Sequence, residues 1–366
     1  MSKGRVVLAM SGGVDSSVSA KLLAEQGYEV IGLFMRTGAH EPAHAEEQSC
    51  TTTPSKIRGC CSAIDAADAQ RVADRLDIPF YALNFSGEFD RIKDYFADEY
   101  LAGRTPNPCV VCNTWLKFGK LWEYAETVEA DFIATGHYAK IVRNAGVAEL
   151  HRAIDPTKDQ SYFLFGVRRE MLQRMMFPIG DMEKSEVRRI AETYDLGVHQ
   201  KPDSQEICFV PGGNYQAVVQ QRRPESIGVG GNVIDPSGAV VGTHGGVSGF
   251  TIGQRKGLGI AFGEPRYVLK LEPQTQTVVI GPKELLAQES LIADRVNWLT
   301  QSTPTEPVDC EVKIRYLHRA TPAKVIPIGD DRVEVRFETP QSAITPGQAT
   351  VFYVGDRVIG GGWIEN

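Results

Sequence analysis

A short apolar run that breaks into two glycines and then resumes with helical spacing limits the possible folds of this chain more than any other feature. The stretch reads VVLAMSGGVDSSVSAKLL, residues 6–23. Gly12 and Gly13 allow the backbone to turn tightly and to approach a ligand closely. The N–H groups that follow, at the positive end of a helix, favour an anion. We therefore expect a strand, a ligand-binding loop and a helix in direct succession.

Short β-rich runs alternate with longer amphipathic runs up to about residue 210. Examples are EVIGLFM, AIDAADAQRVADRLDI, PFYALNF and ADFIATGHYAK. This rhythm is typical of βαβ units, so we predict an α/β fold with a Rossmann-like parallel sheet covered by helices. Ligands in such sheets bind at the carboxyl ends of the strands. The polar stretch 36–59 interrupts the rhythm and is interpreted as a long mobile loop.

The pattern changes after residue 210. Residues 211–285 are rich in glycine and contain strand-like runs such as RYVLKLE and TVVIG, which predicts a small β-rich central domain. The last part contains five short strand-like runs, CEVKIRYLH, AKVIPI, RVEVRFE, ATVFYVG and RVIGGGWIE. Regular spacing of this kind is typical of a small β-barrel. The predicted domains are therefore 1–210, 211–285 and 286–366.

Composition and charge narrow the class of protein. The 366 residues contain no run near the roughly 20 apolar residues that a membrane span needs, and the N-terminal apolar run is too short for a signal peptide. We therefore expect a cytoplasmic protein with no membrane partner. The formal net charge of −7 argues mildly against nucleic acid, although a local basic face is compatible with it. Seven cysteines, an odd count, favour reactive or metal-binding thiols over a disulfide scaffold.

Phosphate is the natural ligand for SGGVDSS, residues 11–17. The loop has neither the Gly-Lys-[Ser/Thr] of a Walker A motif nor the three-glycine spacing of a dinucleotide fold. Ser11, Ser16 and Ser17 can donate hydroxyl groups to phosphate oxygens, and Asp15 is placed to hold Mg²⁺ between them. The plainer alternative is a glycine-rich turn capped by Asp15. Strand, two glycines, an acid and two serines in combination favour phosphate.

The loop resembles the pyrophosphate loop of the adenylating ATP pyrophosphatases, which include GMP synthetase, NAD synthetase and several tRNA-modifying enzymes. In that group ATP is cut between its α and β phosphates and AMP is attached to a substrate oxygen. The resemblance implies ATP as a cosubstrate and a PP-loop nucleotide-binding domain. The loop alone does not choose among the reactions of the group.

Cysteine-containing motifs narrow that choice. Two of them are GRTPNPCVVCN (103–113) and KPDSQEICFV (201–210), and three further stretches are TGHYAK (135–140), KDQSYFLF (158–165) and GQRKGLGI (253–260). Together with SGGVDSS they resemble the tRNA-specific 2-thiouridylase family, which replaces the C2 oxygen of the wobble uridine by sulfur. The match continues through IRYLHRATPAKV, TPGQATVFY and GGGWIE. It implies an ATP-dependent sulfurtransferase acting on tRNAs that read Lys, Glu and Gln codons.

The resemblance also implies roles for two thiols. Cys208 would receive sulfane sulfur from a donor protein as a persulfide, and Cys112 would be the nucleophile that ends as its disulfide partner. Exchange between a thiol and a persulfide needs a thiolate, so a helix terminus or a nearby cation should acidify one or both thiols. His137, Lys140 and Lys158 are the candidates.

Two sets of binding residues are implied in the same way. The residues implied around ATP are Ala9, Met10, Ser11, Gly12, Gly13, Val14, Asp15, Ser16, Met35 and Gly136. The residues implied to face tRNA are Asn107, Pro108, Cys109, His137, Lys158, Asp159, Gln160, Arg315, Tyr316 and Gln348. Within the second set, 107–109 would border the target base, which must be flipped out of its stack before it can react. Arg315 has the clearest physical role, since a guanidinium held in place forms strong charge-assisted hydrogen bonds to phosphate.

Cys109 departs from the pattern, because many family members carry aspartate there. Cys109, Cys112 and Cys208 become a possible three-thiolate set for a [4Fe-4S] cluster whose open iron binds sulfide. A four-thiolate zinc site lacks its second C-x-x-C pair. Two other functions stay open. One is an amide-forming ligase of the same ATP-using group, which would need neither Cys112 nor Cys208, and the other is a catalytically silent RNA-binding module.

The remaining cysteines have plainer expected roles. Cys60 and Cys61 precede an amphipathic stretch and Cys310 opens a strand-like run, so all three are interpreted as small buried apolar residues. Cys50 lies in the polar stretch 36–59 and is interpreted as an exposed bystander.

Overall fold

The structure of the chain, a computed structural model, describes residues 2–38, 63–203, 206–260 and 263–365. The interpretations of Cys50, Cys60 and Cys61, and of the 36–59 loop beyond residue 38, lie outside the described residues. Within those ranges no helix is both long and apolar enough to cross a membrane.

The chain divides into two compact units. The first unit takes the chain up to Arg91 and again Cys112–Asn214, and the second takes Ile92–Val111 and the chain from Tyr215 onward. Neither unit is therefore continuous in sequence. The division into domains 1–210, 211–285 and 286–366 stays a prediction.

A five-stranded parallel sheet organises the first unit. The strands of this unit are β1 Arg5–Ala9, β2 Glu29–Arg36, β3 Phe80–Asn84, β4 Phe132–Thr135, β5 Ala139–Asn144, β6 Val147–Arg152 and β7 Met175–Met176. Their order in the sheet is β3-β2-β1-β4-β7, and β5 and β6 lie outside this sheet and pair with each other as an antiparallel hairpin. Val6, Val7 and Leu8 of β1 are fully buried, as expected for a strand covered on both faces. The predicted parallel sheet is confirmed.

Helices cover this sheet. The α-helices of the described chain are α1 Val14–Glu25, α2 Ala63–Arg75, α3 Ser86–Leu101, α4 Pro108–Val111, α5 Leu121–Thr127, α6 Lys184–Thr193 and α7 Tyr215–Arg222, with a π-helix at Cys112–Lys120. Short 3₁₀ turns lie at Ser161–Leu164, Arg169–Arg174, Pro211–Gly213, Pro224–Ser226, Val247–Gly249 and Lys283–Leu286. Val18 and Leu23 of α1 and Val187 of α6 pack in one apolar cluster with Leu8 and Phe34 of the sheet.

The strand order creates a place for a ligand. The chain leaves β1 through α1 to β2 on one side, whereas β4 lies on the other side of β1, with Ala9 opposite Thr135. Strand order therefore reverses between β1 and β4. In open α/β sheets a crevice forms outside the carboxyl ends of the strands at such a point, and ligands bind there. The SGGVDSS loop follows β1 and Gly136 follows β4, so both lie at this crevice.

The second unit contains two β-structures. A four-stranded sheet is formed by β8 Gly231–Ile234, β9 Val240–His244, β10 Tyr267–Glu272 and β11 Thr277–Gly281, in the order β10-β11-β8-β9. The strands that follow are β12 Ala287–Trp298, β13 Val308–Lys313, β14 Thr321–Pro327, β15 Val333–Ser342, β16 Ala349–Val354 and β17 Arg357–Ile364. Their order is β12-β15-β14-β13-β16-β17, and pairing of β12 with β17 closes an antiparallel barrel. The predicted barrel is confirmed.

Five of the six barrel strands were predicted from the sequence, whereas β12 was not. Its first four residues, Ala287–Ser290, are exposed, so no inward and outward alternation marks them. The strand is also irregular between Asp294 and Asn297, where Arg295 has a positive φ of 47°. A bulge of this kind shifts the side-chain period, which hides the strand from a pattern of period two.

Val325 in the barrel core provides a test of this packing. Val325 is fully buried, and Val325→Ala removes two methyl groups from a close-packed site, so we expect a loss of about 2 kcal/mol in the free energy of unfolding. Val354→Ala is the matched control, because Val354 is 50% exposed on the same barrel and should change stability by less than about 0.5 kcal/mol. Urea unfolding measures both. Equal losses in the two variants would contradict the assigned core.

Candidate active site

The loop between β1 and α1 is shaped by its own serines. Ser16 Oγ accepts a hydrogen bond from the Ser11 N–H at 3.2 Å and donates to the Gly13 carbonyl at 3.2 Å, and Ser17 Oγ donates to the same carbonyl at 2.8 Å. Gly13 is the N-cap of α1 and offers no side chain to the first-turn N–H groups. A helix N-terminus of this kind favours a phosphate oxygen.

Gly136 allows α1 to approach the end of β4. A Cβ atom at Gly136 would lie 2.7 Å from the Ser16 backbone nitrogen and 2.8 Å from the Asp15 carbonyl carbon. No side chain fits at that separation. The absence of a Cβ therefore brings the two loops at the strand-order reversal into direct contact. Gly136 was predicted on the family resemblance, and this close approach gives that choice a physical reason.

Asp15 does not cap its own helix. Its carboxylate accepts hydrogen bonds from Lys184 Nζ at 2.7 and 2.9 Å and from the Tyr138 hydroxyl at 2.9 Å. Burial and the Asp15 charge raise the pKa of the Tyr138 phenol far above its usual value, so Tyr138 remains a proton donor. The alternative in which the loop is a turn capped by Asp15 is therefore not the arrangement found. A lysine ammonium lies at the carboxylate instead.

Asp203 connects three cations. Its carboxylate lies 2.6 Å from Lys158 Nζ, 3.0 Å from Lys184 Nζ and 2.7 Å from Arg188. Burial by itself raises the pKa of the Asp203 carboxyl, but hydrogen bonds from Lys158 and Lys184 outweigh it and lower that pKa to about 2. Lys184 therefore bridges Asp15 in the loop and Asp203 in the segment that leads to Cys208.

Lys201 forms a second link between that segment and the loop. Lys201 Nζ donates to the Gly12 carbonyl at 2.9 Å and to Asp65 Oδ1 at 2.9 Å, and it also pairs with Asp68. The bond to a main-chain carbonyl fixes the turn of the loop itself. Arg188 holds the same segment from α6, by donating to the carbonyls of His199 at 2.6 Å and Lys201 at 3.0 Å.

Both predicted reactive thiols, Cys112 and Cys208, lie in the first unit, and both are half-buried. Cys112 is the first residue of the π-helix, a rare element that occurs often at functional sites. The next residue, Asn113, is buried and donates from Nδ2 to the Phe163 carbonyl at 3.1 Å. Cys208 lies in a turn closed by the Val210 N–H and the Ile207 carbonyl at 2.9 Å. Phe209 anchors this turn edge-on against Phe89.

His137 is buried between aromatic rings rather than presented at the surface. It is 9% exposed, with Nδ1 2.6 Å from Thr135 Oγ1 and Nε2 3.5 Å from Lys117 Nζ. Burial, and next the Lys117 charge, lower the pKa of His137 well below its usual value. The ring is therefore neutral at physiological pH and cannot supply the cation that would acidify a thiol. Its contact with tRNA stays a prediction.

The KDQ stretch at 158–160 also bonds internally. Lys158 pairs with Asp203, and the Asp159 carboxylate accepts from the Ala153 N–H, the Ser161 N–H and the Ser161 hydroxyl at 2.9–3.2 Å. Gln160 exchanges two hydrogen bonds with the Tyr138 backbone, at 2.7 and 3.0 Å. The stretch therefore supports Tyr138, the partner of Asp15.

Aromatic residues follow the KDQ stretch at 162, 163 and 165. Tyr162 and Phe165 are at most 1% exposed. Packing, rather than stacking on RNA, accounts for these two.

In the second unit, three further predicted residues lie together along the chain. Asn107 Oδ1 accepts from the Val110 N–H at 3.3 Å and so caps α4, and Pro108 takes the first helical position, where its missing N–H costs nothing. Cys109 follows on the same short helix and is half-buried. Asn107–Cys109 are therefore held in one rigid turn.

The barrel residues predicted to face tRNA differ in their availability. The Arg315 guanidinium donates one hydrogen bond to the Ser342 carbonyl, at 3.3 Å. The Tyr316 ring has the Lys313 ammonium 5.6 Å from its centroid, and the neighbouring Leu317 is 91% exposed. Gln348, in contrast, donates both amide hydrogens within the chain, to the carbonyls of Thr105 and Pro106 at 3.0 Å each.

Family models match the chain in three successive parts. They are described as a tRNA methyl transferase HUP domain at residues 4–212, a tRNA methyl transferase PRC-barrel domain at 216–282 and an Aminomethyltransferase beta-barrel domain at 288–364.

Curated proteins named tRNA-specific 2-thiouridylase MnmA resemble the chain over nearly its whole length. The protein of Rhodopirellula baltica is 50% identical over 99% of this chain and 96% of its own. The protein of Geotalea uraniireducens is 48% identical over 99% and 95%, and that of Clostridium perfringens 45% over 100% and 99%. The chain belongs to the tRNA-specific 2-thiouridylase family.

The described residues of this 2-thiouridylase family member were expected to include a possible ligand set for a cluster. Among the residues that the structure describes, no group of three or more His, Cys, Asp or Glu side chains could hold a metal ion. The residues present therefore do not fit the [4Fe-4S] alternative. Mg²⁺ is a different case, because in phosphoryl-transfer sites it needs one or two carboxylates and takes its other ligands from phosphates and water. Asp15 is compatible with that requirement if it shares its carboxylate with Lys184.

Four residues that hold the site of this family member together were not predicted from the sequence: Tyr138, Lys184, Lys201 and Asp203. Three of them lay inside the stretches TGHYAK and KPDSQEIC, so their motifs were a signal. Lys184 had none, because the run EKSEVRRIAETY is an ordinary amphipathic helix by sequence. Only the approach of α6 to α1 brings its ammonium to Asp15.

The contact at Gly136 predicts a specific defect. Gly136→Ala pushes α1 away from β4, so we expect affinity for ATP to fall at least about tenfold while far-UV circular dichroism is unchanged. The measurement is the rise in melting temperature caused by Mg·ATP. Gly87→Ala, where a Cβ meets no atom within 4 Å, is the control and should keep the full rise. A wild-type response in the Gly136 variant would contradict the assigned nucleotide site.

Asp203 predicts a pH dependence. Its pKa is about 2 in the folded chain and about 3.9 in an unfolded one, so its stabilising effect is complete above pH 5 and is lost as the pH falls through 4 towards 2. The stability difference between wild type and Asp203→Asn should therefore be constant from pH 8 to pH 5 and shrink below pH 4. Urea unfolding at several pH values measures it. A difference that changes between pH 6 and pH 8 would implicate another group.

Proposed function

We propose that this chain thiolates the C2 position of the wobble uridine in tRNAs that read Lys, Glu and Gln codons, with ATP as the activating cosubstrate. One observation carries the proposal: within a single compact unit, Lys184 and Lys201 tie the loop that suits phosphate to the segment bearing Cys208. Activation by ATP and delivery of sulfur must act on the same carbon. A frame that holds both parts together serves that requirement.

The first step activates the base. A uracil C2 carbonyl is a weak electrophile and its oxygen is a poor leaving group. In the proposed step the C2 oxygen attacks the α-phosphorus of ATP, the bond to the β-phosphate breaks, and pyrophosphate leaves on the Ser11–Ser17 loop. The C2 oxygen now carries AMP and can depart. Asp15 would help to hold Mg²⁺, which would supply charge neutralisation for the phosphates.

The second step delivers sulfur. Cys208 carries sulfane sulfur as a persulfide supplied by a donor protein. Either the Cys112 thiolate attacks the Cys208 sulfur and releases hydrosulfide that adds to C2, or the terminal persulfide sulfur adds to C2 first and Cys112 then breaks the S–S bond. AMP leaves in both cases. Both routes end with a Cys112–Cys208 disulfide, which an external dithiol must reduce before the next cycle.

The binding residues follow the same division. Nucleotide contacts are proposed for a set of residues in β1, the loop after it, the first turn of α1, β2 and the position directly after β4. They are Ala9, Met10, Ser11, Gly12, Gly13, Val14, Asp15, Ser16, Met35 and Gly136. For the target base we propose Asn107, Pro108 and Cys109. For the body of the tRNA we propose Arg315 and Tyr316, whose neighbours Lys313 and Arg319 add positive charge. His137 and 158–160 are proposed to act at the base through the internal bonds described above.

Two cysteine substitutions test the sulfur step. Cys112→Ser and Cys208→Ser should each reduce 2-thiouridine formation at least about 100-fold, because each removes an atom that makes or breaks an S–S bond. Their affinity for tRNA should stay within about twofold of wild type, since neither thiol contacts phosphate. Both should still release pyrophosphate when tRNA is added. Unmodified tRNA, Mg·ATP and a cysteine desulfurase with cysteine are supplied without oxygen, and nucleosides are read by mass spectrometry.

Cys310→Ser is the matched control. Cys310 is half-buried against the barrel core, and burial raises the pKa of its thiol to about 12, so it is unreactive at neutral pH. This variant should keep full activity. The iron content of each preparation is measured in parallel. Thiolation that follows bound iron and requires Cys109 would favour the cluster route, whereas full activity without Cys112 and Cys208 would overturn the proposal.

A further inference from the structure

Within the second unit, the turn between β15 and β16 forms hydrogen bonds with residues 105–106, which are distant in sequence. The Thr105 N–H donates to the Pro346 carbonyl at 2.8 Å. Gln348 Nε2 donates to the carbonyls of Thr105 and Pro106, at 3.0 Å each. Three hydrogen bonds therefore hold two consecutive residues against the barrel.

Close packing around Gly347 also holds residues 104–106 against the barrel. Gly347 has a φ of 85°, and a Cβ atom there would lie 2.8 Å from Arg104 Cβ and 3.0 Å from the Thr105 carbonyl oxygen. Arg104 is itself held by Glu99, through Nε and one terminal nitrogen at 2.7 and 2.5 Å. Pro106 is buried. Both hydrogen bonds and close packing therefore hold the segment in its present position.

The amide of Gln348 has little left to offer a phosphate. Its two N–H groups are both used, and only Oε1 remains, which is an acceptor. A phosphodiester at neutral pH has no proton to donate. Donation from Gln348 to a tRNA phosphate would therefore require breaking one of the two bonds to the 105–106 carbonyls.

Residues 105–106 directly precede Asn107–Cys109, the turn proposed to contact the target base. Pro106 is followed by Asn107, which caps α4, and by Cys109 on that helix. Because Asn107 fixes α4 through its own side chain and follows Pro106 by one peptide bond, a shift of Thr105 and Pro106 shifts the whole turn.

We propose that Gln348 is a positioning residue: its amide fixes the 105–106 backbone so that Asn107–Cys109 meet the target uridine in a reactive position. This inference rests on the proposed function for its consequence, but not for its geometry. The barrel then contributes to catalysis through a main-chain contact, in addition to any contact it makes with tRNA.

Hydrogen exchange tests the geometry without substrate. In full-length Gln348→Met, which keeps a similar length and removes the donor, amides of 105–110 should exchange at least about tenfold faster than in wild type, with the rest of the barrel unchanged. Gln348→Glu should behave alike, because it keeps an acceptor but places a carboxylate against two carbonyl oxygens. Gln301→Met, at an exposed residue of the second unit, is the control. Unchanged exchange at 105–110 in both Gln348 variants overturns the proposal.

Kinetics tests the consequence. The two Gln348 variants should lose about tenfold or more in kcat for 2-thiouridine formation, with the Kd for tRNA within about twofold of wild type, since misplacement of reacting groups lowers the rate without removing binding contacts. A raised Kd with normal kcat would show a direct tRNA contact instead and would overturn the proposal. Faster exchange with normal kcat overturns it as well. If wild-type protein forms no 2-thiouridine, the proposed function fails, while the exchange result still stands or falls by itself.

Discussion

The Lys184 ammonium lies between two carboxylates, 2.7 Å from Asp15 and 3.0 Å from Asp203, and the arrangement of the site depends on it. Without this cation both carboxylates would lose a partner, and the loop after β1 and the segment before Cys208 would each lose an anchor. With it, the loop that suits phosphate is joined to the segment that leads to Cys208. Lys201 adds a second connection, a hydrogen bond from its ammonium to the main-chain carbonyl of Gly12.

Several residues whose motifs suggest contact with RNA use their polar groups in hydrogen bonds within the chain. Asp159 accepts three internal hydrogen bonds, Gln160 exchanges two with Tyr138, and Gln348 gives both amide hydrogens to main-chain carbonyls. Buried polar groups are costly unless they are paired, so such bonds define a unique position for each residue. For a reaction that needs a flipped base, an activated oxygen and a sulfur nucleophile in line, precise support matters as much as contact.

Much of the fold followed from local pattern. The parallel sheet was predictable because fully buried strands read as continuous apolar runs, and the barrel because its strands recur at short intervals. β12 escaped because four exposed residues and a bulge remove its period. The loop at 11–17 could be predicted from the sequence because its glycines, acid and serines are adjacent. Lys184 was not, because an ordinary helix gives no sign of what its lysine will meet.

The sequence by itself determined the family, and it indicated the phosphate-suited loop and the candidate cysteines, since each lies in adjacent residues or in motifs that can be matched one by one. Only the tertiary structure decided which charges pair across 169 residues, as Asp15 and Lys184 do, and that Gln348 spends its amide on residues more than 240 positions away. The physical reason is that hydrogen bonds and ion pairs depend on distances of about 3 Å between side chains. Those distances are fixed by the packing of whole helices and strands, which no local pattern of residues encodes.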